Sequence, residues 1–203
     1  MSLKKTEIRE NIEWANFRWH DAPDMEKSRV LLVGDSIVVG HGSQVHELVR
    51  DDFCIDYLAT AKCVSDVDFM SELDYMLSRR EYELVIFNNG LHGFDIEDQV
   101  YIDHLRAALT ELKPRVKRLA WRNSTPIRSK EDLNAFRADR NPRVILRNEA
   151  AAAIAAELAL PIIDLYTPMS ERVELFSGDA VHYNVEGQKF QAEVIAQFIQ
   201  ENC

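Results

Sequence analysis

Three residues in this chain have the types and spacing for acyl transfer: Ser36, Asp179 and His182. Ser36 ends the triplet Gly34-Asp35-Ser36 directly after the apolar run LLV, and Asp179 and His182 stand three positions apart in GDAVHYN, residues 178–184. A serine hydroxyl near neutral pH needs a base to become a nucleophile. A neutral imidazole can take its proton while a carboxylate fixes the other ring nitrogen. An Asp-x-x-His turn sets the last two groups side by side. Singly, each residue has a plainer use, since Asp-Ser after a strand also caps a helix and either Asp179 or His182 could do the same. The three together are harder to explain by capping. Asp35 sits too close to Ser36 on a tight turn to orient the far imidazole nitrogen, so turn support is its better role. Asp164, near the end of LPIIDL at 160–165, stays open as an alternative orienting carboxylate.

Other chemistries find less support. The chain has neither GxSxG nor a glycine-rich loop ending in GKS or GKT. His41, His46 and His92 form no HExxH or comparable metal-ligand series. Cys54, Cys63 and Cys203 make no CxxC unit and read as free thiols. With 34 acidic against 24 basic residues and a formal charge of -10, the surface disfavours a phosphate backbone, and nucleic acid is not an expected partner. The first 25 residues lack the apolar core of a secretory signal, and no apolar run approaches the roughly 20 residues that cross a bilayer. A soluble cytoplasmic protein without a membrane span is the expectation.

The elements that would position the trio repeat one theme. RVLLV at 29–33, FCIDYL at 53–58, ELVIFN at 83–88, VKRLAW at 116–121 and LPIIDL at 160–165 are short apolar runs of the kind buried in parallel sheets. Between them, 66–80 spaces Val67, Met70, Leu73 and Leu77 as a helix, and 96–112 does the same with Ile102, Leu105, Leu109 and Leu112. Residues 143–159 follow Asn141 as a cap and Pro142 at the first helical position, and their alanines suit close packing. A last amphipathic segment spans 185–201. These elements predict an α/β sandwich with a mostly parallel sheet of five strands, in one domain over 28–203. Residues 1–27, with Ile8, Ile12, Trp14, Phe17 and Trp19, read as a helical extension packed on that domain. Ser124–Lys130 reads as a rim loop. In such sheets the loops beyond the strand carboxyl ends meet at one edge, where helix amino ends favour negative charge. Ser36 falls there.

At this point the chain resembles the SGNH hydrolases, also called the GDSL esterase and lipase family. The resemblance rests on VGDSIVVG at 33–40, FNNGLHG at 87–93 and SGDAVHYN at 177–184, in the family's order across nearly the whole chain. It implies a three-layer, flavodoxin-like α/β/α fold and hydrolysis of acyl esters or thioesters. Ser36 would be the nucleophile, His182 the general base and then acid, and Asp179 the orienting carboxylate. It implies no metal or organic cofactor.

The middle blocks depart from the family pattern. The family commonly has a glycine after the second strand as an oxyanion donor, whereas ATAKCVSD at 59–66 has none, and Ser65 is the best positional substitute through its amide. The family's Gly-x-Asn-Asp becomes Gly90-Leu91-His92-Gly93, so His92 takes the place of the asparagine and Asn89 stands just before the glycine. Either could donate to an oxyanion beside the Ser36 amide, or simply stabilise a turn. WRNSTP at 121–126 brings Arg122 and Asn123 to a loop where they contact substrate or fix the loop. With Arg128 they would form a polar rim suited to a sugar-linked or other polar acyl ester, and the lack of a long lid favours acetyl. Acyl thioesters and lysophospholipids are alternative substrates. A non-catalytic carbohydrate or small-molecule binding module on the same fold is the alternative of another class. The sequence leaves a homodimer open.

Overall fold

The computed structural model describes residues 3–7 and 12–203. Among these, six strands form one sheet: β1 (Ala15–Trp19), β2 (Ser28–Gly34), β3 (Phe53–Thr60), β4 (Leu84–Phe87), β5 (Leu119–Arg122) and β6 (Ile162–Ile163), in the order β1-β3-β2-β4-β5-β6. The helices are α1 (Ser36–Val49), α2 (Phe69–Arg79), α3 (Asp98–Leu112), α4 (Asn141–Glu157), the short α5 (Tyr166–Ser170) and α6 (Val185–Asn202).

Strand alternation divides the apolar side chains between two layers. Leu31, Val33, Leu58, Val85, Phe87 and Trp121 face α2, α3 and α4, while Val30, Leu32, Ile55, Ile86 and Ala120 face α1 and α6. Burying both faces is why the strands read as continuous apolar runs, and each fully buried Leu, Ile or Val contributes roughly 1.5–3 kcal/mol. β2 pairs in parallel with both β3 and β4, so the chain leaves it on one side and returns on the other. A crevice opens beyond the carboxyl ends at such a reversal.

The five expected parallel strands are present, and the sheet has a sixth. Residues 15–19 are not helical: β1 runs antiparallel to β3 from Ala15 opposite Thr60 to Trp19 opposite Asp56. Phe17 and Trp19, two positions apart, share one face and both meet the ring of Tyr75 on α2 edge-on, at centroid distances of 5.1 and 6.1 Å. Trp14 joins the opposite layer. The aromatic spacing is therefore that of a strand. Ile12 is exposed, and Ile8 lies outside the described residues.

A second correction concerns α4. Arg140 is its N-cap and Asn141 its first helical residue. The Asn141 side chain caps nothing in its own helix: it accepts from the Ile127 amide at 3.0 Å and donates to the Tyr166 hydroxyl at 2.9 Å, tying the preceding loop to α5. Ala151 and Ala155 are fully buried against the sheet, as expected of close helix packing.

Candidate active site

β2 ends on Gly34 because nothing larger fits. A Cβ there would lie 2.6 Å from Val38 Cγ2, so glycine alone lets α1 fold back tightly over the strand end. Asp35 is the N-cap of α1, its Oδ1 accepting the Ile37 amide at 2.9 Å and its carbonyl accepting the Val38 amide at 2.9 Å. That is the turn support expected of it, and it sets Ser36 as the first helical residue, at the carboxyl edge of the sheet.

The turn before α6 supplies the partners. Ala180 has φ +68°, its carbonyl accepts the Arg128 amide at 2.9 Å, and the Ser177 amide donates to the His182 carbonyl at 2.8 Å. Asp179 Oδ1 accepts from the amides of Val181 (2.9 Å) and His182 (2.8 Å) and from the Ser177 hydroxyl (2.8 Å). Its Oδ2 lies 2.6 Å from His182 Nδ1, and His182 Nε2 lies 2.7 Å from Ser36 Oγ. Partial burial pushes the Asp179 carboxyl up, but hydrogen bonds from the His182 and Val181 amides, the imidazole and Ser177 together hold it well below the usual carboxylate range. An ionised Asp179 draws the ring proton to Nδ1, leaving Nε2 to accept from the Ser36 hydroxyl. The side chains of Asp179 and His182 are each 44% exposed, so this line of three groups is open to an incoming molecule.

Asp164 is not part of that line. It accepts from Asn123 Nδ2 at 2.7 Å and from the Thr167 amide at 3.1 Å, while Asn123 Oδ1 takes the amides of Leu165 and Tyr166. Burial raises the Asp164 carboxyl, and those hydrogen bonds, led by Asn123, bring it below its ordinary value. Both residues clamp the turn after β6.

Arg122 and Arg128 do not stand on the polar rim expected of them with Asn123. Their side chains are buried, 2% and 4% exposed, and Ser124 to Ile127 lie inside with them. Arg128 donates to the carbonyls of Leu133, Asn134 and Ser170 and lies between the rings of Phe136 and Phe176, 4.9 Å from each centroid. Three carbonyls and two aromatic faces solvate its charge internally, so it does not face a substrate.

The expected oxyanion donors differ in exposure. Ser65 is fully buried with its hydroxyl 3.0 Å from Thr6 Oγ1. Asn89 is 4% exposed and bridges to the loop after β3, donating to the Lys62 carbonyl at 2.8 Å and accepting from the Val64 amide at 3.0 Å. His92 is half-buried, edge-on to Trp14 at 6.2 Å. His41 and His46 are buried on α1, and His46 meets Asp21 at 3.2 Å.

Sequence reasoning missed the side chain that shapes the loop carrying His92. Arg147, 1% exposed, donates to the carbonyls of Gly90 (3.1 Å), His92 (2.8 Å) and Gly93 (2.9 Å) and pairs with Asp98 at 3.1 Å, which Arg143 also binds. A signal was present: Arg147 falls on the stripe of Val144, Ala151 and Ile154, where a charge must bring partners inward. Asn88 was missed too. Its Nδ2 ties β4 to the Arg122 carbonyl at 2.8 Å and to Ser124 Oγ at 3.0 Å.

No family model and no curated protein matches this sequence. Solved structures do match in fold. One is a protein of Slackia heliotrinireducens classed as an SGNH hydrolase, with a TM-score of 0.66 and 18% identity over 86% of this chain and 100% of the other. The acetyl xylan esterase AlAXEase gives a TM-score of 0.70 at 16% identity over 84% and 99%. A GDSL-like lipase from Bacteroides thetaiotaomicron gives 0.67 at 16% identity over 89% and 92%. The chain has the fold of these SGNH hydrolases.

Proposed function

We propose that this protein is a serine esterase that cleaves short acyl esters, acetyl above all, through an acyl-enzyme on Ser36. The observation that carries this reading is the line Ser36 Oγ–His182 Nε2–His182 Nδ1–Asp179 Oδ2, with steps of 2.7 and 2.6 Å. Two residues 146 positions apart in sequence meet at hydrogen-bond distance at the edge where such folds bind ligands.

In the first half-reaction His182 Nε2 takes the Ser36 proton as Oγ attacks the ester carbonyl. The charge that develops on the carbonyl oxygen is met by the Ser36 amide at the amino end of α1 and by the His92 loop. His182 then protonates the leaving alcohol, and water repeats the path to release the acid. Asp179, ionised across the working pH range, keeps the proton on Nδ1 and stabilises the imidazolium. The acetyl preference draws on the fold shared with acetyl xylan esterases, now that no basic rim supports a polar substrate.

The experiment compares the wild type with Ser36→Ala on acetyl, butyryl and octanoyl esters, acetylated xylooligosaccharides and acyl thioesters. Acetyl turnover that Ser36→Ala reduces by at least about a thousandfold is expected. Equal turnover by both proteins would end the reading, and faster octanoyl than acetyl cleavage would overturn the acyl preference.

A further inference from the structure

Behind the Ser36 turn lies a group of buried polar side chains with atoms that meet no hydrogen-bond partner among the described residues. Arg122, the last residue of β5, reaches beneath the turn so closely that a Cβ on Gly34 would lie 3.1 Å from its Nη2. Neither Nη1 nor Nη2 meets an acceptor, although the side chain is 2% exposed. Asp35, 3% exposed, spends Oδ1 on the Ile37 amide, and its Oδ2 has no donor. Both ring nitrogens of His41, further along α1, are in the same condition.

Burial lowers the Arg122 guanidinium to about 10, with Asp35 and then Tyr183 acting against that, so it stays charged at neutral pH. Burial, reinforced by the Arg122 charge, holds His41 well below its ordinary value, so its ring is neutral. The charged Arg122 therefore lies near the Asp35 carboxylate and the neutral His41 ring, while Arg128 as well as Arg122 acts on Tyr183. Bare charges are not tolerated in an interior, and opposite charges too far apart to touch are joined by enclosed water. A free anion would meet the Asp35 carboxylate beside the arginine, which favours water over a halide or phosphate.

We propose that Arg122 is a positioning residue for Ser36, holding Asp35 Oδ2 through enclosed water and so fixing the Asp35–Ser36 turn against the sheet. The role rests on the esterase reading above. Asp35 is thereby gripped from both sides, by the Ile37 amide on one oxygen and by Arg122 on the other. A turn held on one side only would let Ser36 Oγ swing away from His182 Nε2, and displacements of about 1 Å can cost a hundredfold in rate.

The test uses the full chain and the variants Arg122→Gln, Arg122→Lys, Asp35→Asn and the double variant Arg122→Gln/Asp35→Asn. The rate at which a fluorophosphonate labels Ser36 is measured per folded protein, with kcat and KM for p-nitrophenyl acetate. Arg122→Gln is expected to slow labelling and lower kcat at least about tenfold with KM nearly unchanged. Arg122→Lys should recover part of the rate, and the double variant should lose no more than the worse single one, because both act through one link. Additive losses, or a lowered Tm with an unchanged labelling rate, would overturn the role. A high-resolution crystal structure of the wild type provides a check that needs no variant: water bridging Arg122 and Asp35 is expected, and a direct ion pair or a bound anion would overturn the proposal. An unlabelled, folded wild type would remove the esterase reading and this role with it. Normal labelling of both wild type and Arg122→Gln would remove this role alone.

Discussion

Asp179 and His182 are joined twice: the carboxylate takes the imidazole Nδ1 on one oxygen and the backbone amide of the same histidine on the other, at 2.6 and 2.8 Å. The second bond fixes the main chain of His182 relative to the group that orients its ring. The pair is thus set by one turn and needs only Ser36 from elsewhere.

Replacing Asp179 by Asn should lower kcat by roughly a hundredfold to ten-thousandfold, since an amide both loses the charge and can present a donor to Nδ1, favouring the wrong tautomer. Asp164→Asn should change kcat little and lower the melting temperature, because its carboxylate clamps Asn123 and the Thr167 amide. Steady-state kinetics with circular dichroism on both variants checks this. A larger purely kinetic loss at Asp164 would reverse the assignment.

The acidic side of the kcat/KM profile should fall with unit slope. Asp179 is held below its ordinary value, so it stays ionised and adds no second proton to that fall. The sign for stability follows: a carboxyl with a depressed folded value stabilises the fold above its unfolded value near 4, and that contribution is lost as pH falls towards the folded value. Melting curves of wild type and Asp179→Asn should therefore converge below pH ~4. A slope of two would mean that Asp179 takes up a proton as well.

His92→Ala should lower kcat by up to about a hundredfold and leave the melting temperature near that of the wild type, as loss of one oxyanion donor does. Asn89→Ala should do the opposite and cost about 1–3 kcal/mol, because it unpairs the Lys62 carbonyl and the Val64 amide. Urea denaturation beside initial rates separates the two. A stable Asn89→Ala protein with impaired kcat would move the oxyanion role to Asn89.

Arg147→Leu should destabilise the protein by about 2–4 kcal/mol, since three carbonyls lose their shared donor. Arg147→Lys should recover only part, because an ammonium on a flexible stem cannot reproduce the planar fork. Denaturation midpoints of the two variants decide it, and equal stability of Leu and Lys would show that packing rather than hydrogen bonding governs this position.

The sheet was legible because strands buried on both faces are mostly apolar, as β2 to β6 are, apart from a few residues such as Arg29, Asp56 and Arg122. β1 was not, since a short strand at the sheet edge keeps only alternate side chains against the core, and five residues of ANFRW show too little of that period to separate it from a helix. The trio was legible because its three residue types have few joint uses. The surroundings of the trio were misread because Arg122 and Arg128 were expected at an exposed rim, where guanidinium groups usually stay, and Arg147 was not singled out. All three are buried because backbone carbonyls, aromatic faces or a neighbouring carboxylate turn inward to receive them or lie close by, and such partners are invisible one residue at a time.

The position of β1 also bears on how these molecules behave beside one another. β3 is an eight-residue strand, FCIDYLAT, with seven residues buried, and β1 covers the edge that it does not share with β2. Unpaired, that edge would offer its free amides and carbonyls to a neighbouring molecule, the geometry from which intermolecular sheets grow. β1 replaces it with a five-residue edge bearing Asn16 and Arg18, poorly suited to templating. The strand that looks most like an appendage thus covers the long buried edge of β3, and its loss is expected to register first as turbidity at high concentration.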